Sequence, residues 1–174
     1  AIKSYQRLTA SQLGFDPDGV LTFYVTIPQY KYPDDNARRT YFDRLLSSVS
    51  SVHGVEQAGA ISYLPLSSFG GGLNFTIEGR DFTPGSEPES GLNIVTPGYF
   101  QAMKVPLVAG RDLAVTDREN TPAVAVVSRS WAKRFFGDEN PIGHRINAGD
   151  QQKPSWIQIV GVAVKMGATK ADFD

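Results

Sequence analysis

Two stretches of this chain carry a strand–helix–strand pattern, one on each side of a middle rich in glycine, proline and serine. That arrangement limits the fold to an α+β domain with an insert. In the first stretch Leu21, Phe23, Val25 and Ile27 alternate with Thr22, Tyr24 and Thr26, the period of a strand with one dry face, and Pro28 ends it. Pro33-Asp34-Asp35 then opens a helix, with an aspartate at the N-cap to accept orphan backbone N–H groups. Tyr41, Phe42, Leu45, Leu46, Val49 and Val52 fall on one helical face, while Arg38, Arg39, Asp43, Arg44, Ser47 and Ser48 fall mostly on the other. Gly54, after His53, supplies a left-handed stop, and Val55–Tyr63 reads as the returning strand.

After Pro122 the pattern recurs. Ala123–Val127 is a continuous apolar run, as expected of a central strand covered on both faces. Ser128 caps a helix holding Trp131, Ala132, Phe135 and Phe136, which stops at Gly137. His144–Asn147 and Trp156–Val164 read as two strands paired across a polar loop near Gly149-Asp150. The two units repeat in topology only, with no shared residue pattern.

The middle predicts short strands at Leu73–Glu78 and Leu92–Thr96. They are joined by loops at Ser67–Gly72 and Thr83–Pro88, whose composition is that of turns. Thr96-Pro97 reads as an N-cap followed by proline at the first helical position, ahead of a short apolar stripe of Tyr99, Phe100 and Met103. Val105–Val108 is a further strand, followed by a turn at Ala109–Asp112. At the start, Ile2, Tyr5, Leu8 and Leu13 outline a short amphipathic helix over residues 2–13, in which the chain opens abruptly, as a piece of a longer polypeptide would.

Reactive groups are sparse. The formal net charge is −1 with no strongly basic stretch, which argues against a phosphate-neutralising face and so against nucleic acid as a partner. There is no cysteine, which excludes disulfides, thiolate metal sites and thiol nucleophiles. No apolar run reaches the ~20 residues that span a bilayer. Of two histidines, His53 sits at a helix C-terminus, where imidazole meets free carbonyls, and His144 stands beside Arg145 at a strand start; neither has metal spacing. Gly70–Gly72 lacks the G-K-[ST] ending of a phosphate loop, and no serine lies in a G-x-S-x-G elbow. Asp16, Asp18, Asp34, Asp35, Asp112, Asp117, Glu119, Asp138 and Glu139 sit nearly all at turns and caps, where carboxylates bond local backbone. Most aromatics fall at core spacing on helices; Tyr30 and Tyr32 lie in a loop instead. No catalytic, cofactor or metal residue is assigned. Tyr30, Tyr32, Phe69, Gly70, Gly71 and Gly72 are the candidate interaction residues.

An ordered series of short motifs runs through nearly the whole chain. Ser4–Leu8, Gly14-Phe15-Asp16-Pro17 and Val20-Leu21-Thr22 come first. Tyr32-Pro33-Asp34 and Val52-His53-Gly54-Val55-Glu56 then frame the first helix, with His53 where proline is common. Ser62-Tyr63-Leu64-Pro65-Leu66 and Phe75-Thr76-Ile77-Glu78-Gly79 follow, then Val95-Thr96-Pro97-Gly98-Tyr99-Phe100, Pro106-Leu107 and Gly110-Arg111-Asp112. Val126-Val127-Ser128 with Ala132–Phe136, then Asn140-Pro141-Ile142-Gly143 and Ile159-Val160-Gly161-Val162, close the series. In order and spacing it resembles the MacB-like periplasmic core domain of ABC-transporter permeases of the MacB/FtsX type. Lys165-Met166-Gly167 departs from the acidic continuation usual there, which leaves the C-terminal boundary open.

The resemblance implies a domain inserted between the first two membrane helices of a permease, on the extracytoplasmic side of the bacterial cell membrane. Its fold class would be α+β, with two strand–helix–strand units forming a porter-like subdomain and a smaller mixed α/β subdomain inserted between them. The expected divisions are 1–13, a helix leading in from the membrane; 14–64 with 121–165, the porter-like part; 65–120, the insert; and 166–174, a tail. The implied partners are a cytoplasmic ATPase domain or subunit acting through the membrane helices, a periplasmic adaptor or cargo, and a second permease in a dimer. No cofactor is implied and no enzyme activity. Both chain ends should lie near each other on one membrane-proximal side. Two other readings stand beside this one: an extracytoplasmic ligand-binding or sensing domain using loops 65–72 and 83–91 with Tyr30 and Tyr32, and a small hydrolase with converging carboxylates.

Overall fold

A computed structural model describes residues 14–65, 71–83, 85–118, 120–149 and 153–164. In chain order its elements are helix α1 (Asp35–Ser50), strands β1 (Gly71–Asn74), β2 (Thr76–Ile77) and β3 (Glu89–Leu92), the one-turn helix α2 (Tyr99–Ala102), strands β4 (Leu107–Gly110) and β5 (Ala123–Ser128), helix α3 (Arg129–Phe136), and strands β6 (Arg145–Asn147) and β7 (Trp156–Ala163). The helix expected over 2–13, the tail 166–174, and Phe69 and Gly70 lie outside the described residues.

Strand β7 organises the sheet. β5 runs parallel to it from Ala123 opposite Ile157 to Ser128 opposite Ala163. β6 is antiparallel to its first half and β4 to its second. Because β5 follows one edge along the length of β7, β6 and β4 must share the other edge end to end. β2 extends the sheet beyond β6, pairing Thr76 with Asn147 and Ile77 with Ile146. The covered central strand is therefore β7, with Ile159 to Ala163 all buried. β5, read from its composition as central, has one ladder partner among the described residues, and in it only Val127 is fully buried. A continuous apolar run does not distinguish a strand buried by neighbours on both edges from one buried mainly by packing on its faces.

The second strand–helix–strand unit forms as expected. The parallel β5–β7 pair requires a crossover, and α3 supplies it. Ser128 Oγ accepts the Trp131 N–H at 3.2 Å, capping α3, and Gly137 at φ +62° ends it. β6 and β7 pair across the polar loop.

The first unit keeps its helix and loses its ladders. Asp34 Oδ1 accepts the Ala37 N–H at 2.7 Å and starts α1, but the helix ends at Ser50, so Gly54 closes the turn after it. No residue of α1 is fully buried. Residues 20–27 form no strand and have no ladder partner among the described residues; Val25 and Ile27 are half-buried, while Leu21 is 87% exposed. Alternation sets which side chains share a face; it does not provide a ladder partner. Residues 55–63 likewise form no strand, and Ile61 makes a single bridge to Val95.

The sheet also crosses the expected boundary at 120. β2 and β4 come from 65–120, and β5, β6 and β7 from 121–165. Phe75 and Ile77 share a core with Val127, Phe136, Ile146, Ile159 and Val162. Among the described residues, 65–120 contributes one separate ladder of its own, β1 with β3. Gly71 and Gly72, read as loop, are in that ladder opposite Leu92 and Gly91. The strand expected at Leu73–Glu78 breaks at Phe75, whose N–H donates to Pro88 O at 3.0 Å. The strand expected at Leu92–Thr96 is placed earlier, at β3, and that at Val105–Val108 later, at β4.

Two cores lie on opposite faces of the sheet. Val127 belongs to the first and its neighbour Val126 packs against the second; Val162 and Ala163 divide in the same way. Successive strand residues point to opposite faces. The first core is closed by α3, where Phe75 meets Trp131 and Phe135 with ring centroids 5.3 and 5.1 Å apart. The second holds Tyr99, Phe100, Met103, Val105 and Ala163.

Candidate functional site

The second core is where the described chain begins and ends. Phe15 and Val20 pack against it from one side of the sequence and Val164 from the other. Val164 N–H donates to Pro106 O at 3.1 Å, next to Val105 of the same cluster. The chain ends themselves, residues 1–13 and 165–174, lie outside the described residues. Pro97 precedes the one-turn helix α2, which begins at Tyr99 with Gly98 (φ +86°) at its N-cap. Thr96, expected to be the cap, is engaged elsewhere: its Oγ1 accepts the Ala60 N–H at 2.8 Å and its own N–H donates to Ala60 O at 3.0 Å. That pair lays residues 58–62 along 94–98.

A polar knot fixes residues 14–18, the lead-in to the described chain, against the turn after α2. Asp16 N–H donates to Met103 O at 3.2 Å. Lys104 Nζ donates to Asp16 Oδ2 at 3.0 Å and to Asp18 O at 3.2 Å. Asp16 Oδ1 accepts the Asp18 N–H at 3.0 Å. That backbone bond and then Lys104 hold the Asp16 carboxyl below the usual range, and Asp16 in turn raises Lys104. Burial pushes the Tyr99 phenol up to about 12. The Asp16–Asp18 bond is the local carboxylate–backbone contact expected of a turn, but the link to Lys104 was not visible in the sequence. Its residues are 88 positions apart, and a lysine in a left-handed turn leaves no signal in a single sequence.

The candidate interaction residues fall in two places. Tyr30 is 89% exposed, in a turn where the N–H groups of Lys31 and Tyr32 donate to Pro28 O. Tyr32 is half-buried, its ring 4.9 Å from that of Tyr41 in the second turn of α1. Gly71 and Gly72 belong to the β1–β3 ladder. An open hollow of about 320 Å³ lies elsewhere, lined by residues including Val95, Leu113, Arg118 and Val124. Arg118 also reaches Asp43 of α1 at 3.6 Å.

The carboxylates are engaged structurally. Asp117 takes two bonds from Arg111, at 2.7 and 2.9 Å, and one from the Ala114 N–H at 2.8 Å. Glu78 is held by Arg145, whose guanidinium lies 5.3 Å from the centre of the Trp156 ring. Asp138 pairs with Lys133 at 2.5 Å. In each case the cationic partner is the largest influence and lowers the carboxyl pKa. A general acid at neutral pH needs the opposite shift. His144 Nε2 lies 3.2 Å from Glu139 Oε1, Arg80 approaches Glu139 Oε2 at 3.5 Å, and the ring of His144 sits 5.0 Å from that of Phe136. His53 is exposed. No group of three or more His, Cys, Asp or Glu that could hold a metal occurs among the described residues. No helix among them is long and apolar enough to cross a membrane.

Packing and tethering dominate the contacts of these residues. The family model described as MacB-like periplasmic core domain matches residues 6–174, and the chain belongs to that family. It is a family of transporter permease domains and not an enzyme class. The curated proteins compared with the chain include no match. Among solved structures, the periplasmic region of MacB from Actinobacillus actinomycetemcomitans is 17% identical, with a TM-score of 0.49 over 77% of this chain and 58% of that one. The extracellular domain of the noncanonic ABC-type transporter YknZ from Gram-positive bacteria is 19% identical, with a TM-score of 0.47 over 71% and 57%. A permease domain from Porphyromonas gingivalis is 19% identical, with a TM-score of 0.48 over 69% and 48%. The chain therefore spans about half the length of the structures it matches.

Proposed function

We propose that this domain is the outer part of an ABC permease, on the extracytoplasmic side of a bacterial cell membrane, and that it transmits ATP-driven movement of the membrane helices to a cargo or partner protein. Its work is conformational, without bond-making. The observation that carries this reading is the convergence of Phe15, Val20 and Val164 on the Tyr99–Phe100–Met103–Val105–Ala163 cluster. Helices attached to both ends would deliver their displacement to one place, beside the end of the central strand. The partners in this reading are a cytoplasmic ATPase, fused or separate, a second permease, and a periplasmic adaptor or cargo. Tyr30 and Tyr32 in one place, and the β1–β3 ladder with Gly71 and Gly72 in another, are the contact elements of this reading.

The test uses the full-length permease with its ATPase in liposomes. Residues 1–174 contain no cysteine, so thiols placed at Thr40 on α1 and Arg129 on α3 are the domain's only labelling sites once any cysteines elsewhere in the permease and its ATPase are replaced by serine. Both positions are exposed. The distance distribution between them should differ between nucleotide-free and nucleotide-trapped states. Identical distributions in all nucleotide states would remove the transmitter reading.

A further inference from the structure

Lys104 is the one non-glycine residue among those described with a positive φ, at +50°. Contact between Cβ and the backbone makes this region unfavourable for most L-residues. Such a conformation persists where the surroundings over-determine it. Here the Lys104 N–H donates to Gln101 O at 3.0 Å, at the end of α2, while Nζ reaches Asp16 Oδ2 and Asp18 O. The preceding carbonyl, that of Met103, accepts the Asp16 N–H. Met103 itself is buried in the second core beside Ala163 of β7. The Lys104–Asp16 pair is about half exposed, so its direct contribution to stability is small. Its position is what distinguishes it. It ties the first described segment of the chain to a turn whose other side is packed on the central strand.

We propose that Lys104 is a clasp, coupling displacement of residues 14–18 to the α2 turn and through Met103 to the end of β7. The clasp rests on the reading of this domain as a transmitter, and it names the joint at which the lead-in grips the sheet. Movement of the lead-in then shifts Met103 and Ala163 together, and the two cores on either side of β7 move with them. Without the clasp the segment still packs through Phe15 and Val20, but it slides without carrying the turn.

The experiment compares the wild-type full-length permease with Lys104→Met, Lys104→Gly and the exchanged pair Asp16→Lys/Lys104→Asp. Lys104→Gly separates coupling from stability, because it removes the clasp while relaxing the backbone, so its thermal midpoint does not fall. In both single variants, amide hydrogen exchange over residues 14–20 should rise by about tenfold, while that of β7 stays within about twofold of wild type. The nucleotide-dependent shift between labels at positions 40 and 129 should fall below about half its wild-type size at unchanged ATP hydrolysis, with partial recovery in the exchanged pair, which restores the ion pair but not the bond to Asp18 O. Unchanged exchange over 14–20, or faster exchange with a full label shift, overturns the clasp. A wild-type permease with no label shift overturns the transmitter reading instead, so the two failures are told apart by where they occur.

Discussion

Gly110 shows how closely the backbone is packed at single residues. It stands at φ +73° at the end of β4, where a Cβ would overlap the Val160 carbonyl oxygen and lie 2.7 Å from Ile142 Cδ1 and 2.9 Å from Gly161 Cα. Two of these obstacles are backbone of the central strand and cannot rotate away. Gly110→Ala should therefore destabilise the domain by about 2 kcal/mol or more, from the left-handed conformation and the overlap together. A urea midpoint equal to that of wild type would refute the claim that this glycine is required by β7. Phe75 makes the complementary case in side-chain packing. It is 2% exposed and its ring meets Trp131 and Phe135 of α3. Phe75→Ala should cost about 3–5 kcal/mol, since the rigid α3 aromatics cannot close the space left behind. Trp131 fluorescence reports the same event, because the indole gains solvent when its neighbour is truncated.

Helix α3 depends on the side chain at its N-terminus. Ser128 belongs both to β5 and to the N-cap, so one residue ends a strand and starts a helix. Ser128→Ala should cost about 1 kcal/mol, and Ser128→Asp should restore most of it, because either oxygen can accept the Trp131 N–H. Equal stability of all three proteins would show the cap to be idle. Signals of this local kind are also what could be read in advance. Asp34, Ser128 and Gly137 act within four residues of themselves, and the β6–β7 hairpin is set by one polar loop. The identity of the central strand was not legible, because β7 owes its burial to β4 and β2 on β6, partners that lie far off in the chain. Residues 20–27 have the right alternation and still form no ladder, since pairing belongs to two segments and the pattern reports one. In the site, Tyr30 and Tyr32 were correctly placed in a loop by their distance from any apolar period, whereas Lys104 and Asp16 meet only through the fold.

For the whole molecule the consequence of these pairings is a stability plateau with an acid and an alkaline edge. Asp16, Glu78, Asp117 and Asp138 have folded pKa values below their ordinary ones, from 3.8 for the aspartates and 4.5 for the glutamate. Their stabilisation is complete above those ordinary values and is lost as pH falls through the lower folded ones. The carboxylates are largely solvated, so this acid edge is shallow and further weakened by salt. On the alkaline side the shifts are upward. Lys104 is raised above 10.5 by Asp16, and Tyr99 from 10.0 to about 12 by burial. Stabilisation from a raised group is present below its unfolded pKa and lost as pH rises toward the folded one. The Tyr99 share is the larger, because its side chain is 2% exposed in the core that receives the lead-in. Between pH 10 and 12 it should amount to about 2 kcal/mol of lost stability. Tyr99→Phe removes the ionisable hydroxyl and keeps the ring, so its alkaline loss should be smaller than that of wild type by about that amount. Lys104→Met should alter the same limb only slightly. Denaturation of the three proteins at pH 8, 10 and 11.5 decides the matter: parallel loss in wild type and Tyr99→Phe would mean that the phenol ionises as readily in the folded chain as in the unfolded one, and that the core against which Phe15, Val20 and Val164 pack is open to water.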